Sequence, residues 1–200
     1  NLPSETIGGE MYELLTMANQ TTEDVFSLLD NLLKWTKSQI GKLKVVYQEL
    51  NMVEVVEGVS EIFTMVAGLK NIKIVQDMPV VPVVVRADID MLKTVIRNLI
   101  SNAIKFSNEG SEVLVSLTEE DGMAIVSVKD SGCGIDEENQ KKLLHTDTHF
   151  STFGTNNEEG SGLGLLLCQD FIVKNGGKLW FTSKKGEGST FSFSVPLLEK

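Results

Sequence analysis

The sequence predicts an α/β fold of the α+β two-layer sandwich kind, with helices on one face of a mixed β-sheet and one long bundle helix in front. Three observations carry this. The apolar period changes from helical spacing to short alternating segments near residue 44. Two alternating segments flank Asp121-Gly122, a pair that closes two-residue hairpins. From there on, runs of adjacent strands alternate with helices, the pattern of helices stacked on one sheet face.

The elements follow in order. Over residues 10 to 43, Ala18, Thr21, Val25, Leu28, Leu32 and Trp35 keep 3-4 spacing, and Phe26, Leu29, Leu33 and Ile40 form a second stripe beside them. That stripe is too wide for a lone surface helix and suits a member of a helical bundle. A boundary is placed at Lys44, giving segments 1–43 and 44–200. Asn51 is positioned to cap a helix running to about Lys70, and Ile72 to Val75 and Val83 to Arg86 read as strands. Asp88 caps a second helix to about Phe106. Val113 to Thr118 and Met123 to Lys129 make the central hairpin, followed by a polar, glycine-rich stretch from Asp130 to Gly160. A helix from about Gly162 to Asn175 ends on Gly176-Gly177, and Leu179 to Ser183 with Thr190 to Val195 closes the chain.

Composition excludes several classes. At 42% hydrophobic and 23% charged, 200 residues supply a real core, so disordered and collagen-like chains are out. A net charge of -10 argues against a nucleic-acid binder, and any anionic ligand must be held by a local site. Cys133 and Cys168 give no disulfide framework, no apolar run is long enough for a membrane span, and Asn1-Leu2-Pro3-Ser4-Glu5 does not read as a signal peptide. The expected setting is cytoplasmic, with any membrane attachment made through parts of a longer receptor.

Three constellations carry chemistry. On the second helix Asn98, Asn102 and Lys105 stand at i, i+4 and i+7 beside the apolar face of Leu92, Val95, Ile96, Leu99 and Ala103. The strip reads either as a solvated helix edge or as a site for Mg²⁺ and phosphate, an amide oxygen being a hard ligand and the ammonium an offset to phosphate charge. Asp130-Ser131-Gly132-Cys133-Gly134-Ile135 is a strand ending in an acid and two glycines. It reads either as a tight loop or as a base site, where a carboxylate accepts from the exocyclic amine of adenine. Gly160-Ser161-Gly162-Leu163-Gly164-Leu165 enters a helix with bare backbone N–H groups, an anion site if the context agrees. A dinucleotide fingerprint does not fit, because the glycines follow Asn156-Asn157-Glu158-Glu159 and not a buried strand. Gly186-Glu187-Gly188 reads as the turn of the closing hairpin.

In order and spacing, residues 44 to 196 resemble the catalytic domain of sensor histidine kinases, within the GHKL (Bergerat-type) ATPase superfamily shared with gyrase, mismatch-repair and heat-shock chaperone ATPases. Leu92 to Ser107 looks like that family's N box, Asp130 to Ile135 its G1 box and Gly160 to Leu165 its G2 box. The resemblance implies ATP and Mg²⁺ as cofactors, with Asn102 on the metal, Asn98 beside it, and Lys105 on phosphate together with the Gly160, Gly162, Leu163 and Gly164 backbone. It places Asp130, Gly132, Gly134 and Ile135 at adenine. The helix from 10 to 43 resembles the second helix of the family's dimerisation and phosphotransfer hairpin; the first helix, with its phospho-accepting histidine, is absent. His145 and His149 fall where the family has a lid over the nucleotide, and Ser151-Thr152-Phe153-Gly154-Thr155 looks like a lid variant of hybrid-type sensor kinases. A two-histidine metal pair lacks a third ligand.

The function so implied is transfer of the γ-phosphoryl of ATP to a histidine on a helical hairpin of the same or a partner subunit, in two-component signalling. A response-regulator receiver domain as partner and a homodimer go with it. Asn98 favours transfer over hydrolysis, since the hydrolysing relatives usually carry a glutamate there to activate water and an amide cannot act as a base. The rivals are a hydrolysing ATPase of the superfamily and a non-catalytic nucleotide-binding or docking module.

Overall fold

The computed structural model describes residues 43–143, 155 and 163–198, together with Leu29, Leu33 and Thr36. The chain divides into two compact units, Asn1–Leu43 and Lys44–Lys200. In the first, Leu29, Leu33 and Thr36 are helical, and both leucines are exposed. Leu43, the last residue of the helix expected over 10–43, is not helical, and the remaining residues of that span lie outside the described residues.

The second unit runs β1 (Gln48–Asn51), α1 (Met52–Leu69), β2 (Lys73–Asp77), β3 (Val84–Ala87), α2 (Ile89–Phe106), β4 (Glu112–Glu120), β5 (Met123–Asp130), α3 (Glu137–Leu143), α4 (Gly164–Lys174), β6 (Leu179–Lys184) and β7 (Gly188–Pro196). A five-stranded sheet has the order β2-β4-β5-β7-β6, and β1 pairs with β3 in a separate two-stranded sheet. Only β2 and β4 run parallel; the other neighbours in the larger sheet are antiparallel. The expected mixed sheet is therefore present, with the helical layer on one face.

Local chemistry sets the helix ends. Asn51 Oδ1 accepts from the Val53 amide at 3.2 Å and its Nδ2 donates to Glu54 Oε1 at 2.9 Å, closing the first turn of α1. Asp88 Oδ1 accepts from the Asp90 and Met91 amides at 3.0 and 3.1 Å and starts α2. Leu92, Val95, Ile96, Leu99, Ile100 and Ala103 then give α2 a face that is buried throughout. Each large side chain so buried contributes about 1.5–3 kcal/mol relative to exposure. Asn175 ends α4, its Nδ2 donating to Phe171 O at 2.7 Å while its Oδ1 accepts from the Asp88 amide at 2.8 Å. One side chain thus ties the start of α2 to the end of α4.

The sheet buries Val113, Val115 and Leu117 of β4, Ala124, Val126 and Val128 of β5, and Phe193 and Val195 of β7. In β4 and β5 their alternation with exposed or half-buried neighbours fixes the register, because a slip of one residue would turn every apolar group outward. Glu120 faces Met123 across the central hairpin, with Asp121 and Gly122 at φ 49° and 76°, the two left-handed positions a type I′ turn requires.

Two elements differ from the sequence expectation. β1 has no alternating pattern and only Leu50 is buried in it, so it exists through pairing with β3. Six of the seven residues of α3 are polar, and they lie inside the stretch read as irregular; Asp136 Oδ1 accepts from the Asn139 amide at 2.9 Å and caps them.

Candidate functional site

Asp130 closes β5 and is only 5% exposed. Its Oδ1 accepts from the Gly132 amide at 2.9 Å and the Ser189 amide at 3.2 Å. Both bonds fall on one oxygen, so Oδ2 has no hydrogen-bond partner among the described residues. Burial pushes the carboxyl above its ordinary range, and the backbone amides of Gly132, Ser189 and Asp130 itself pull the other way.

The glycines around it answer to close approaches. A Cβ on Gly132 would sit 2.0 Å from Phe106 O, one on Gly134 2.0 Å from Lys184 O, and one on Gly188 2.1 Å from Asp130 O. Gly134 and Gly188 also have φ of 60° and 97°. The loop is bonded on both sides: Cys133 N donates to Phe106 O at 3.2 Å, Gly186 N to Cys133 O at 2.8 Å, and Ile135 N to Ser183 Oγ at 2.8 Å. The end of β5 is thereby seated between the end of α2 and the β6–β7 turn.

The other half of the site lies along α2. Asn102 Nδ2 donates to Asn98 Oδ1 at 3.3 Å, and a Cβ on Gly164 would come within 2.6 Å of the Asn98 amide. Leu163 precedes α4 and makes no side-chain cap hydrogen bond to it. Lys105 Nζ lies 5.2 Å from the Phe106 ring centroid, a cation-π contact. The structure therefore brings Asn98, Asn102, Leu163 and Gly164 together and places the Lys105 ammonium over Phe106. Asp130, Gly132, Gly134 and Ile135 form the second cluster, joined to the first through α2. Gly160 and Gly162 lie outside the described residues, as do His145, His149 and the expected lid apart from Thr155.

Sequence reading missed several participants. Gly188 reads as part of a simple hairpin turn and Ser189 carries no signal, yet Gly188 packs against the Asp130 carbonyl and the Ser189 amide donates to the Asp130 carboxylate. The signal was a second glycine pair placed to meet the first across β5 and β7. Ser107, at the end of α2, has a fully buried hydroxyl with no partner.

No group of three His, Cys, Asp or Glu side chains that could hold a metal occurs among the described residues. The donor set that fits a hard cation is instead the Asn102 amide. Its Nδ2 is engaged by Asn98, which leaves Oδ1 as a neutral oxygen ligand. Among the described residues no helix is long and apolar enough to cross a membrane.

Residues 87–199 match the family of histidine kinase-, DNA gyrase B- and HSP90-like ATPases. The adaptive-response sensory kinase SasA of Crocosphaera subtropica is 34% identical over 85% of this chain and 44% of its own length. The sensor histidine kinase WalK of Bacillus subtilis is 28% identical over 93% of this chain and 31% of its own length. The chain thus spans less than half the length of these curated relatives. Among solved structures, the nucleotide-free catalytic domain of histidine kinase ThkA is 30% identical, covers 76% of this chain and 95% of its own, and superposes with a TM-score of 0.65.

Proposed function

Because the chain belongs to the family of histidine kinase-, DNA gyrase B- and HSP90-like ATPases, we propose that residues 44–200 bind ATP with Mg²⁺. They would act as the catalytic domain of a sensor histidine kinase, moving the γ-phosphoryl to a histidine on a helical hairpin. The observation that carries the choice of transfer is Asn98. Its amide packs on Gly164 at the start of α4 and accepts from Asn102, so the position where a hydrolysing relative needs a base holds a group that cannot take a proton.

The chain's residues divide the work. Asp130, whose Oδ1 is engaged by backbone amides, accepts from the exocyclic amine of adenine through Oδ2, while Gly132 and Gly134 let the base lie against backbone. The amides at the start of α4 face phosphate, where the helix end supplies partial positive charge. Asn102 would hold Mg²⁺, whose charge would offset that of the phosphates. No side chain needs to form a bond to phosphorus; holding the nucleotide and the incoming imidazole in line is the catalytic act.

Leu29 and Leu33, exposed one helical turn apart, support residues 1–43 as one helix of a dimerisation hairpin and the chain as a two-fold dimer. A receiver domain of a response regulator would collect the phosphoryl group from that hairpin. The decisive experiment supplies γ-labelled ATP, Mg²⁺ and a separate hairpin bearing the acceptor histidine. Label is expected on the hairpin as acid-labile, alkali-stable phosphate. Free phosphate with an unlabelled hairpin would instead establish a hydrolase. Light scattering against concentration, repeated on a chain starting at Lys44, tests the dimer: a monomer at every concentration in the full chain removes it.

A further inference from the structure

Lys70 is 9% exposed at the end of α1, which is unusual for a lysine and costly unless its donors are met. They are met three times: Nζ donates to Ile104 O at 3.1 Å, to Lys105 O at 3.0 Å and to Thr155 Oγ1 at 2.6 Å. The first two acceptors are carbonyls of the last turn of α2, where a cation suits the helix end. The third stands far along the chain, between α3 and α4. Thr155 returns the contact, since its Oγ1 lies 2.8 Å from Ser107 O and its own amide donates to Lys105 O at 3.1 Å.

We propose that Lys70 and Thr155 are positioning residues that fix one point of the α3–α4 connection to the phosphate half of the site. The proposal rests on the nucleotide reading above. Lys70 joins three chain segments at the turn of α2 that carries Lys105, one turn beyond Asn102. Thr155 is thereby anchored shortly before the chain reaches Leu163 and Gly164. The base half has no such dependence, because Asp130 and Gly132 are held by β7 and Phe106. Loss of the anchor therefore weakens contacts to the outer phosphates and leaves those to adenine in place.

The test is Thr155→Val, which keeps shape and removes the hydroxyl at an exposed residue. Wild type and variant are titrated with a non-hydrolysable ATP analogue and with ADP, each with Mg²⁺. Affinity for the triphosphate should fall about three- to tenfold while that for ADP stays within about twofold. Thr155→Ser, which keeps the hydroxyl, should restore the wild-type ratio. Lys70→Met should lower the same ratio and, by baring two helix carbonyls, the melting temperature as well; adding Thr155→Val to it should change the ratio no further. Wild-type ADP binding combined with an unchanged ratio in Thr155→Val would overturn the anchor alone. Absence of nucleotide binding by the wild type would remove the site reading and the anchor together.

Discussion

The two halves of the site are built differently. Around Asp130 everything is closed: a buried carboxylate, two amides on one of its oxygens, and three glycines each within about 2 Å of blocking by backbone if they carried a side chain. Around Asn98 and Asn102 the groups are half-buried, the nearest obstacle to a side chain at Gly164 is a movable amide, and Leu163 adds no side-chain cap to the helix end. On the proposed reading, a base half fixed before ligand arrives would meet a flat, rigid group, and a looser phosphate half would leave contacts to be completed by the ligand's own charge and metal, as suits a site that must hold both a triphosphate and the product of its transfer.

The sharpest way to break this contrast is a pair of matched substitutions. Gly132→Ala drives a Cβ into the Phe106 carbonyl and should cost about 1–3 kcal/mol or more of stability, with nucleotide binding lost. Gly164→Ala first meets the Asn98 side chain, which can rotate, so the fold should survive with weakened phosphate contacts. Thermal melting and ADP titration of both decide it. Equal loss in the two variants would mean that the phosphate half is as rigid as the base half.

Asp130→Asn comes next. An amide donor facing the exocyclic amine should lower ADP affinity by about 1–3 kcal/mol, roughly 5- to 150-fold, measured by calorimetry. Unchanged affinity would move adenine elsewhere. Asn102→Ala should weaken ATP binding by about 1–1.5 kcal/mol in Mg²⁺ and hardly at all in a chelator. A loss independent of Mg²⁺ would deny the residue its metal role.

The smallest effect is one of pH. Asp130 has a folded pKa above its unfolded one, so on acidification the native carboxyl takes up a proton first. Between the two values stability rises slightly as pH falls, while nucleotide affinity drops because protonation removes acceptor capacity. The drop should begin above the ordinary aspartate range and be missing in Asp130→Asn. A titration of ADP affinity against pH checks it.

Legibility in the sequence followed the same divide between near and far. The span of α2 could be read to the residue because a capping aspartate, the 3-4 apolar period and the loss of that period after Phe106 are all local. Asp121-Gly122 fixed its hairpin for the same reason. The role of Gly188 and Ser189 was hidden, since their reason for being there is a partner on another strand. Lys70 was hidden too: at the end of a helix a lysine reads as solvated, and only the fold supplies the three acceptors that bury it. The strands β2 and β3 were found one or two residues out of place, because an exposed end such as Gln76-Asp77 belongs to a strand only through its neighbour.

The bond from the Ser189 amide to Asp130 also has a consequence for how the protein is made. The two residues are 59 positions apart, and β5 gains its second neighbour only when β7 arrives at the far end of the chain. At about 5–20 residues per second, a ribosome takes about 3–12 seconds to pass from one to the other. Throughout that interval the nascent chain has the β4–β5 hairpin with one edge open and the proposed adenine seat unfinished. On that reading nucleotide would not assist the early stages of folding in the cell, and a transcript cut short before Ser189 would yield a chain with an exposed strand and no ligand to protect it.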